Sequence, residues 1–290
     1  MSDTSLKVKQ EQLKNNLRRL ERLVVSFSGG VDSSFLLKAA HDVLKNNVLA
    51  VSARSPTFPQ RELDEAVAFA ASYGIEHVVI DSEELEVDGF ASNPPNRCYL
   101  CKTELLGKIR AVADSRGIAH IAEGSNADDD GDYRPGLQAV QECNVLSPLR
   151  QVGLTKNEIR QLSKELGLPT WNKQSFACLS SRFPYGETIT KVRLQQIDRA
   201  EQFLLDNGFV QVRVRFHGNL ARIETDEAGF RCLSDSGLRS RIYSEFKKIG
   251  FDYVAIDLFG YRTGSMNEPL AILSVVNSFA RESNNTWTSE

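Results

Sequence analysis

The sequence predicts an α/β protein: a parallel sheet covered by helices on both faces, followed by a smaller α+β domain. Three observations carry this. Short apolar runs alternate with helical patterns over the first 180 or so residues. Gly74, Gly117 and Gly167 each follow a helical pattern where a C-terminal cap belongs. After residue 186 the alternation gives way to a strict two-residue period around a Gly-Asn turn. Mostly apolar strands separated by helices are what a sheet buried on both faces requires. The expected organisation is an α/β domain over 1–186, an α+β domain over 187–282 and a disordered polar tail over 283–290.

From Ser5 to Arg22 the chain places Leu6, Leu13, Leu17 and Leu20 at helical spacing among lysines and arginines, an amphipathic helix to be packed on the body. Strands are expected at 23–27, 48–53, 77–81 and 119–123, with helices at 33–46, 60–73, 98–115 and 155–166. Sheets of this kind bind ligands beyond the carboxyl ends of their strands. In the second domain a helix near 189–206 turns Leu194, Ile197, Ala200 and Leu204 inward and ends at Asn207-Gly208. Residues 209–216 then alternate, Val210, Val212, Val214 and Phe216 on one face and Gln211, Arg213, Arg215 and His217 on the other. Gly218-Asn219 is a two-residue hairpin turn and Leu220 to Thr225 the returning strand. A helix at 235–249 and a strand at 253–259 complete the unit. The turn sets Arg213 opposite Glu224, Val214 opposite Ile223 and Arg215 opposite Arg222. Like charges facing across a ladder are destabilising unless something negative lies between them. Arg213, Arg215 and Arg222 therefore sketch a pocket for a phosphate or carboxylate; a solvated arginine face is the alternative.

With 290 residues, 41% apolar and 25% charged, the composition is that of an ordinary globular chain. A net charge of −3 does not favour a long nucleic-acid groove. No apolar leader and no membrane-length apolar stretch appears. Five cysteines, an odd number, point to a reducing cytoplasm and to cysteine chemistry rather than disulfides.

Residues 28–34 read Ser-Gly-Gly-Val-Asp-Ser-Ser between an apolar run and a helical pattern. Gly29 and Gly30 let backbone approach a ligand, and the helix that follows turns its amides and positive dipole end toward an anion. Neither a Walker GxxxxGK loop nor GxGxxG is present. Ser28, Gly29, Gly30 and Ser33 would donate to phosphates. Asp32 beside a polyphosphate calls for Mg²⁺ between them, unless it caps the helix. Ala53, in Val51-Ser52-Ala53, lies where an adenine would be bracketed. Gly124 opens an acidic stretch running to Gly136, either a solvated loop or a metal or ribose site. Cys178 lies in WNKQSFACLSSRFPYG at 171–186, with Ser180, Ser181 and Arg182 next to it. An adjacent cation would raise its thiolate fraction; the alternative is a small buried hydrophobe.

SGGVDSS resembles the pyrophosphate (PP) loop of the ATP pyrophosphatases. Together with RCYLCK at 97–102, NADDDGDYRPG at 126–136, ACLSSRFPYG at 177–186 and the hairpin VRVRFHGNLARIE at 212–224, it is similar to the LarE family of ATP-dependent sulfur transferases. The resemblance implies a Rossmann-like sheet of the PP-loop type and use of Mg-ATP to adenylate a carboxylate of a pyridinium biscarboxylate mononucleotide, with release of pyrophosphate. It further implies attack on the acyl-adenylate by Cys178, whose sulfur passes to the substrate and leaves dehydroalanine. The product would feed assembly of a nickel-pincer cofactor. Asp32, Cys178 and Arg182 become the expected catalytic residues, with Ser180, Arg213, Arg215 and Arg222 on the substrate. A small-molecule substrate and a homo-oligomer are expected, and no membrane.

Cys98 and Cys101 depart from the single-cysteine pattern of the family. They lie at the start of a predicted helix, whose dipole favours thiolates. With Cys178 they resemble a branch thought to hold a [4Fe-4S] cluster on three cysteines, its open iron free to carry a sulfide. Zinc, which wants four ligands, and a CxxC disulfide or merely structural pair are the alternatives. Cys143 and Cys232 are expected to be buried. A tRNA thiolase with the same loop, or a non-catalytic nucleotide-binding module, are the competing functions.

Overall fold

Alternate residues of the first strand feed two separate cores, and this places a helical layer on each face of the sheet. Leu23 and Val25 of β1 (Leu23–Ser26) join the core formed with α1 (Asp3–Arg18) and α2 (Val31–Leu44). Val24 joins Leu106, Ile109 and Ala113 of α4 (Arg97–Ser115) on the opposite face. The computed structural model describes residues 3–130, 135–174, 176–262 and 264–267. As expected, Leu6, Leu13 and Leu17 are the buried positions of α1.

β2 (Val48–Arg54), α3 (Gln60–Ser72), β3 (Glu76–Asp81) and β4 (His120–Ala122) complete a parallel sheet of order β3-β2-β1-β4. The chain steps outward from β1 to β3, then returns to the other side of β1. Direction therefore reverses between β1 and β4, and the loops leaving those two strands flank the crevice where ligands bind in such sheets. Two short helices that periodicity did not reveal, α5 (Gly136–Glu142) and α6 (Pro148–Gln151), precede α7 (Lys156–Glu165). A Thr155/Glu158 capping box starts α7.

The chain divides into two compact units, residues 1–178 with 189–191, and 179–188 with the chain from Val192 onward. The division thus falls directly after Cys178 rather than at 186. Leu179 and Phe183 are buried, and the Phe183 ring lies 5.2 Å from that of Phe216, which draws the 179–188 segment to the second unit.

The second unit contains α8 (Lys191–Asp206), β5 (Val212–His217), β6 (Leu220–Thr225), α9 (Glu227–Cys232), α10 (Ser236–Ile249) and β7 (Tyr253–Ile256). Its sheet runs β5-β6-β7, and the β5–β6 register is the expected one, Arg213 facing Glu224 and Arg215 facing Arg222. β5 begins only at Val212, so Val210, expected to share a strand face with Val212 and Val214, lies outside it and is 63% exposed. β7 ends at Ile256, short of the expected 259. The 283–290 tail lies outside the described residues.

Candidate active site

The glycine loop is held from two sides. Gly29 has φ +67°, and a Cβ there would lie 3.0 Å from the Ala66 Cβ on α3. Gly30 is the N-cap of α2 and has no side-chain cap, so Asp32 lies in the first turn and does not cap the helix. Ser34 donates to the Gly30 carbonyl at 2.9 Å. The amides before it lie ahead of the first intrahelical acceptor. Ser28 and Ser33 share a hydroxyl–hydroxyl hydrogen bond of 3.1 Å. A Cβ on Gly124, just past β4, would lie 2.9 Å from the Ser33 nitrogen. Only glycine lets the two loops meet so closely, and Gly124 acts here as a packing residue as well as a wall of the cavity.

That cavity, about 710 Å³, is bounded by Ser28, Gly30, Asp32, Ser33 and Gly124, five of the expected nucleotide-binding residues. Lys156, at the start of α7, donates to Asp32 at 2.6 Å. The other Asp32 oxygen is buried with no hydrogen-bond partner of good geometry. Burial pushes the Asp32 carboxyl up, and Lys156 pulls it back without cancelling the shift. Asp129 adds to the upward push and Asn126 opposes it, so burial prevails, an environment that a bound cation would relieve. Lys102, Arg160 and Lys173 also line this cavity. Sequence reasoning missed these four cations, because single basic residues scattered over α4, α7 and the segment after it form no motif. Glu123 accepts from Ser125 and Ser147; burial works to raise its carboxyl, but Lys102 and these donors hold it below its ordinary value.

The acidic stretch is not simply solvated. Asn126 and Asp129 form a capping box, Asp128 accepts the Lys156 amide at 2.8 Å, and Asp130 pairs with Arg150 at 2.5 Å. Residues 131–134 lie outside the described residues.

A smaller, mostly apolar cavity of about 170 Å³ adjoins the first, since Ser26, Ser28 and Phe58 line both. Ala53, Val51, Leu63 and Leu105 form its apolar wall, and Cys101 and Cys178 open onto it. None of the five cysteines is in a disulfide. Burial and the neighbouring Cys178 push both the Cys98 and the Cys101 thiols up. The thiols are thus raised rather than lowered, contrary to the sequence expectation; Arg97, beside Cys98, opposes the shift there. The CxxC pair and Cys178 are therefore electrostatic neighbours, although among the described residues no three His, Cys, Asp or Glu side chains are arranged around a single-ion position. Cys143 and Cys232, expected to be buried, are each partly exposed.

The arginines of the second unit have protein partners that the sequence reading did not assign. Arg182 is fully buried and forks onto Glu201 through bonds of 2.8 and 2.9 Å. It is built into the core of its unit. Burial works to raise the Glu201 carboxyl, but Arg182, Arg213 and the Val214 amide hold it below its ordinary value. Breaking a buried pair leaves an uncompensated charge. Arg182→Met is expected to lower unfolding free energy by about 3–5 kcal/mol, measurable as a shift in urea midpoint. Likewise, the negative charge between Arg215 and Arg222 is internal: fully buried Glu224 lies 2.6 Å from one and 3.1 Å from the other, and Asp257 takes Arg222 at 2.8 Å. Arg213 stacks over the Tyr261 ring at 5.2 Å. Still, the Nε groups of Arg215 and Arg222 are buried with no hydrogen-bond partner. Ser180 is fully buried in the same unit.

A protein of Lactiplantibacillus plantarum named pyridinium-3,5-bisthiocarboxylic acid mononucleotide synthase is 38% identical to this chain over 270 residues, 92% of the chain and 96% of the relative. The chain belongs to the LarE family. An uncharacterized protein of Synechocystis sp. is 42% identical over 265 residues, 91% of the chain and 99% of the relative. An uncharacterized protein of Methanocaldococcus jannaschii is 29% identical over 255 residues, 87% of the chain and 96% of the relative. The family model described as NAD synthase matches residues 5–113, the part of this LarE-family chain that holds the glycine loop and three of the four parallel strands. Among the described residues no helix is long and apolar enough to cross a membrane.

Proposed function

We propose that this LarE-family protein is an ATP-dependent sulfur transferase that adenylates a carboxylate of a pyridinium biscarboxylate mononucleotide and replaces one carboxylate oxygen with sulfur. The observation that carries the reading is the adjacency of the two cavities: the phosphate loop and the cysteines share Ser26 and Ser28 as a common wall.

ATP would lie with its polyphosphate on the amides of Gly29, Gly30 and Ser33 and its adenine against the apolar wall at Ala53. Asp32 would hold Mg²⁺ through the oxygen that Lys156 does not take, and Lys156 would then be free to turn its ammonium to a phosphate. A substrate carboxylate oxygen would attack the α-phosphorus as its bond to the bridging oxygen breaks; Lys156 would face the departing pyrophosphate, and Mg²⁺, when bound at Asp32, would supply further neutralisation of its charge. Ser180, Arg213, Arg215 and Arg222 are the second unit's groups that we assign to the anionic parts of the mononucleotide.

Two donors of sulfur are open to this chain. If Cys178 gives its own, its thiolate attacks the acyl carbon and AMP departs, forming a thioester. Removal of the Cys178 Cα proton then breaks the Cβ–S bond, leaving a thiocarboxylate and dehydroalanine. The second donor rests on three neighbouring thiols. Cys98, Cys101 and Cys178 are the residues that would hold a [4Fe-4S] cluster, and such a cluster would supply the sulfide. A reducing cytoplasm, where the five thiols and the cluster persist, and a place in nickel-pincer cofactor assembly belong to the same reading. ATP–pyrophosphate exchange that depends on the pyridinium biscarboxylate mononucleotide tests it; exchange of equal rate without that compound would refute the substrate assignment.

A further inference from the structure

The larger cavity contains a lysine whose donors are all engaged. Lys173 Nζ lies 2.8 Å from Glu62, 2.7 Å from Glu65 and 3.3 Å from the Gly29 carbonyl oxygen. An ammonium carries three N–H groups, so none is left for a phosphate. The side chain is only 16% exposed. Burial works against its charge, but Glu62 and Glu65 more than offset this and raise its pKa above the ordinary lysine value. Its backbone is pinned as well. Arg160 of α7 donates to the carbonyls of Trp171 and Lys173, each at 2.8 Å, and Lys164 lies 4.9 Å from the Trp171 ring centroid. α3 supplies Glu62, Glu65 and the Ala66 contact on Gly29, so α3 and the phosphate loop meet at the Lys173 ammonium while α7 holds its backbone.

The carbonyl and amide of a trans peptide point in opposite directions. A hold on the Gly29 carbonyl therefore fixes where the Gly30 N–H is aimed, and Gly30 lines the cavity. We infer that Lys173 is a positioning residue that sets the Gly29–Gly30 peptide so that its amide meets the polyphosphate of ATP. Loop residues at positive φ are free to rotate without such a hold, since glycine has no Cβ to restrain them. The inference rests on the reading of this cavity as the ATP site.

The test compares wild type, Lys173→Met and Lys173→Arg by two measurements. Amide hydrogen exchange of the nucleotide-free protein reads the loop directly. In Lys173→Met the amides of residues 29–33 are expected to exchange about tenfold faster, the effect of losing one charge-assisted hydrogen bond, with no change elsewhere in the sheet. Calorimetric titration should show affinity for a non-hydrolysable ATP analogue falling about tenfold and affinity for AMP holding, because AMP lacks the phosphates the loop addresses. Lys173→Arg should restore most of both. Unchanged loop exchange in Lys173→Met would overturn the inference and leave the lysine a direct ligand or a surface cation. Failure of the wild type to bind the ATP analogue would instead overturn the ATP reading, and the exchange data, which use no nucleotide, would still judge the positioning role. Should Lys173→Met not fold, Arg160→Leu, which frees the two carbonyls but keeps the lysine, is expected to loosen the same amides.

Discussion

Asp32→Asn is expected to lower pyrophosphate release by about 10²–10³-fold, the scale of removing one preorganised electrostatic group from a phosphoryl or acyl transfer site. The same substitution should leave the fold at least as stable as wild type near neutral pH. Burial raises the Asp32 carboxyl above its unfolded value. The folded state thus holds that proton more tightly than the unfolded chain does, and ionisation costs stability as pH climbs from the ordinary aspartate value through the raised one. Asparagine carries no such cost, and Lys156, 30% exposed, is hydrated when its partner is neutral. Urea midpoints at about pH 4 and about pH 8 should therefore shift in favour of Asp32→Asn at the higher pH. A variant that unfolds more readily than wild type at the higher pH would show Asp32 to be a structural ion-pair partner.

Cys178→Ser should abolish formation of thiolated product while leaving substrate-dependent ATP–pyrophosphate exchange within a few-fold of wild type. A serine oxygen supplies no sulfur and makes a poor iron ligand, so the variant fails whichever donor operates. Intact-protein mass after turnover separates the donors. Loss of about 34 Da marks conversion of cysteine to dehydroalanine, and an unchanged mass with repeated turnover marks a cluster-borne sulfide. After anaerobic reconstitution the second case requires about four irons per chain, lost in serine variants of Cys98 or Cys101 and retained in those of Cys143 or Cys232.

The fold was largely legible because hydrophobic period and glycine caps are local signals. Leu23-Val24-Val25 could be recognised as a strand buried on both faces, and the hairpin register followed from its two-residue turn. The glycine loop was equally plain, since positive φ and close backbone approach leave glycine in the sequence. The fate of the arginines was not. Nothing local says that Arg182 pairs with Glu201 on a later helix, or that Glu224 lies between two arginines on its own sheet face. Lys156 and Lys173 escaped notice for the same reason: each gains its meaning from partners far along the chain, Lys156 from Asp32 and Lys173 from Glu62. The start of β5 was misplaced because alternation at 209–212 continues into residues that have no strand partner.

The most direct test combines the purified protein, Mg-ATP and the pyridinium biscarboxylate mononucleotide, with products resolved by mass spectrometry and AMP and pyrophosphate counted. The account predicts a mononucleotide carrying sulfur in place of a carboxylate oxygen, with one AMP and one pyrophosphate formed per sulfur transferred. AMP and pyrophosphate formed without any thiolated mononucleotide, or a thiolated product formed without ATP, would contradict it.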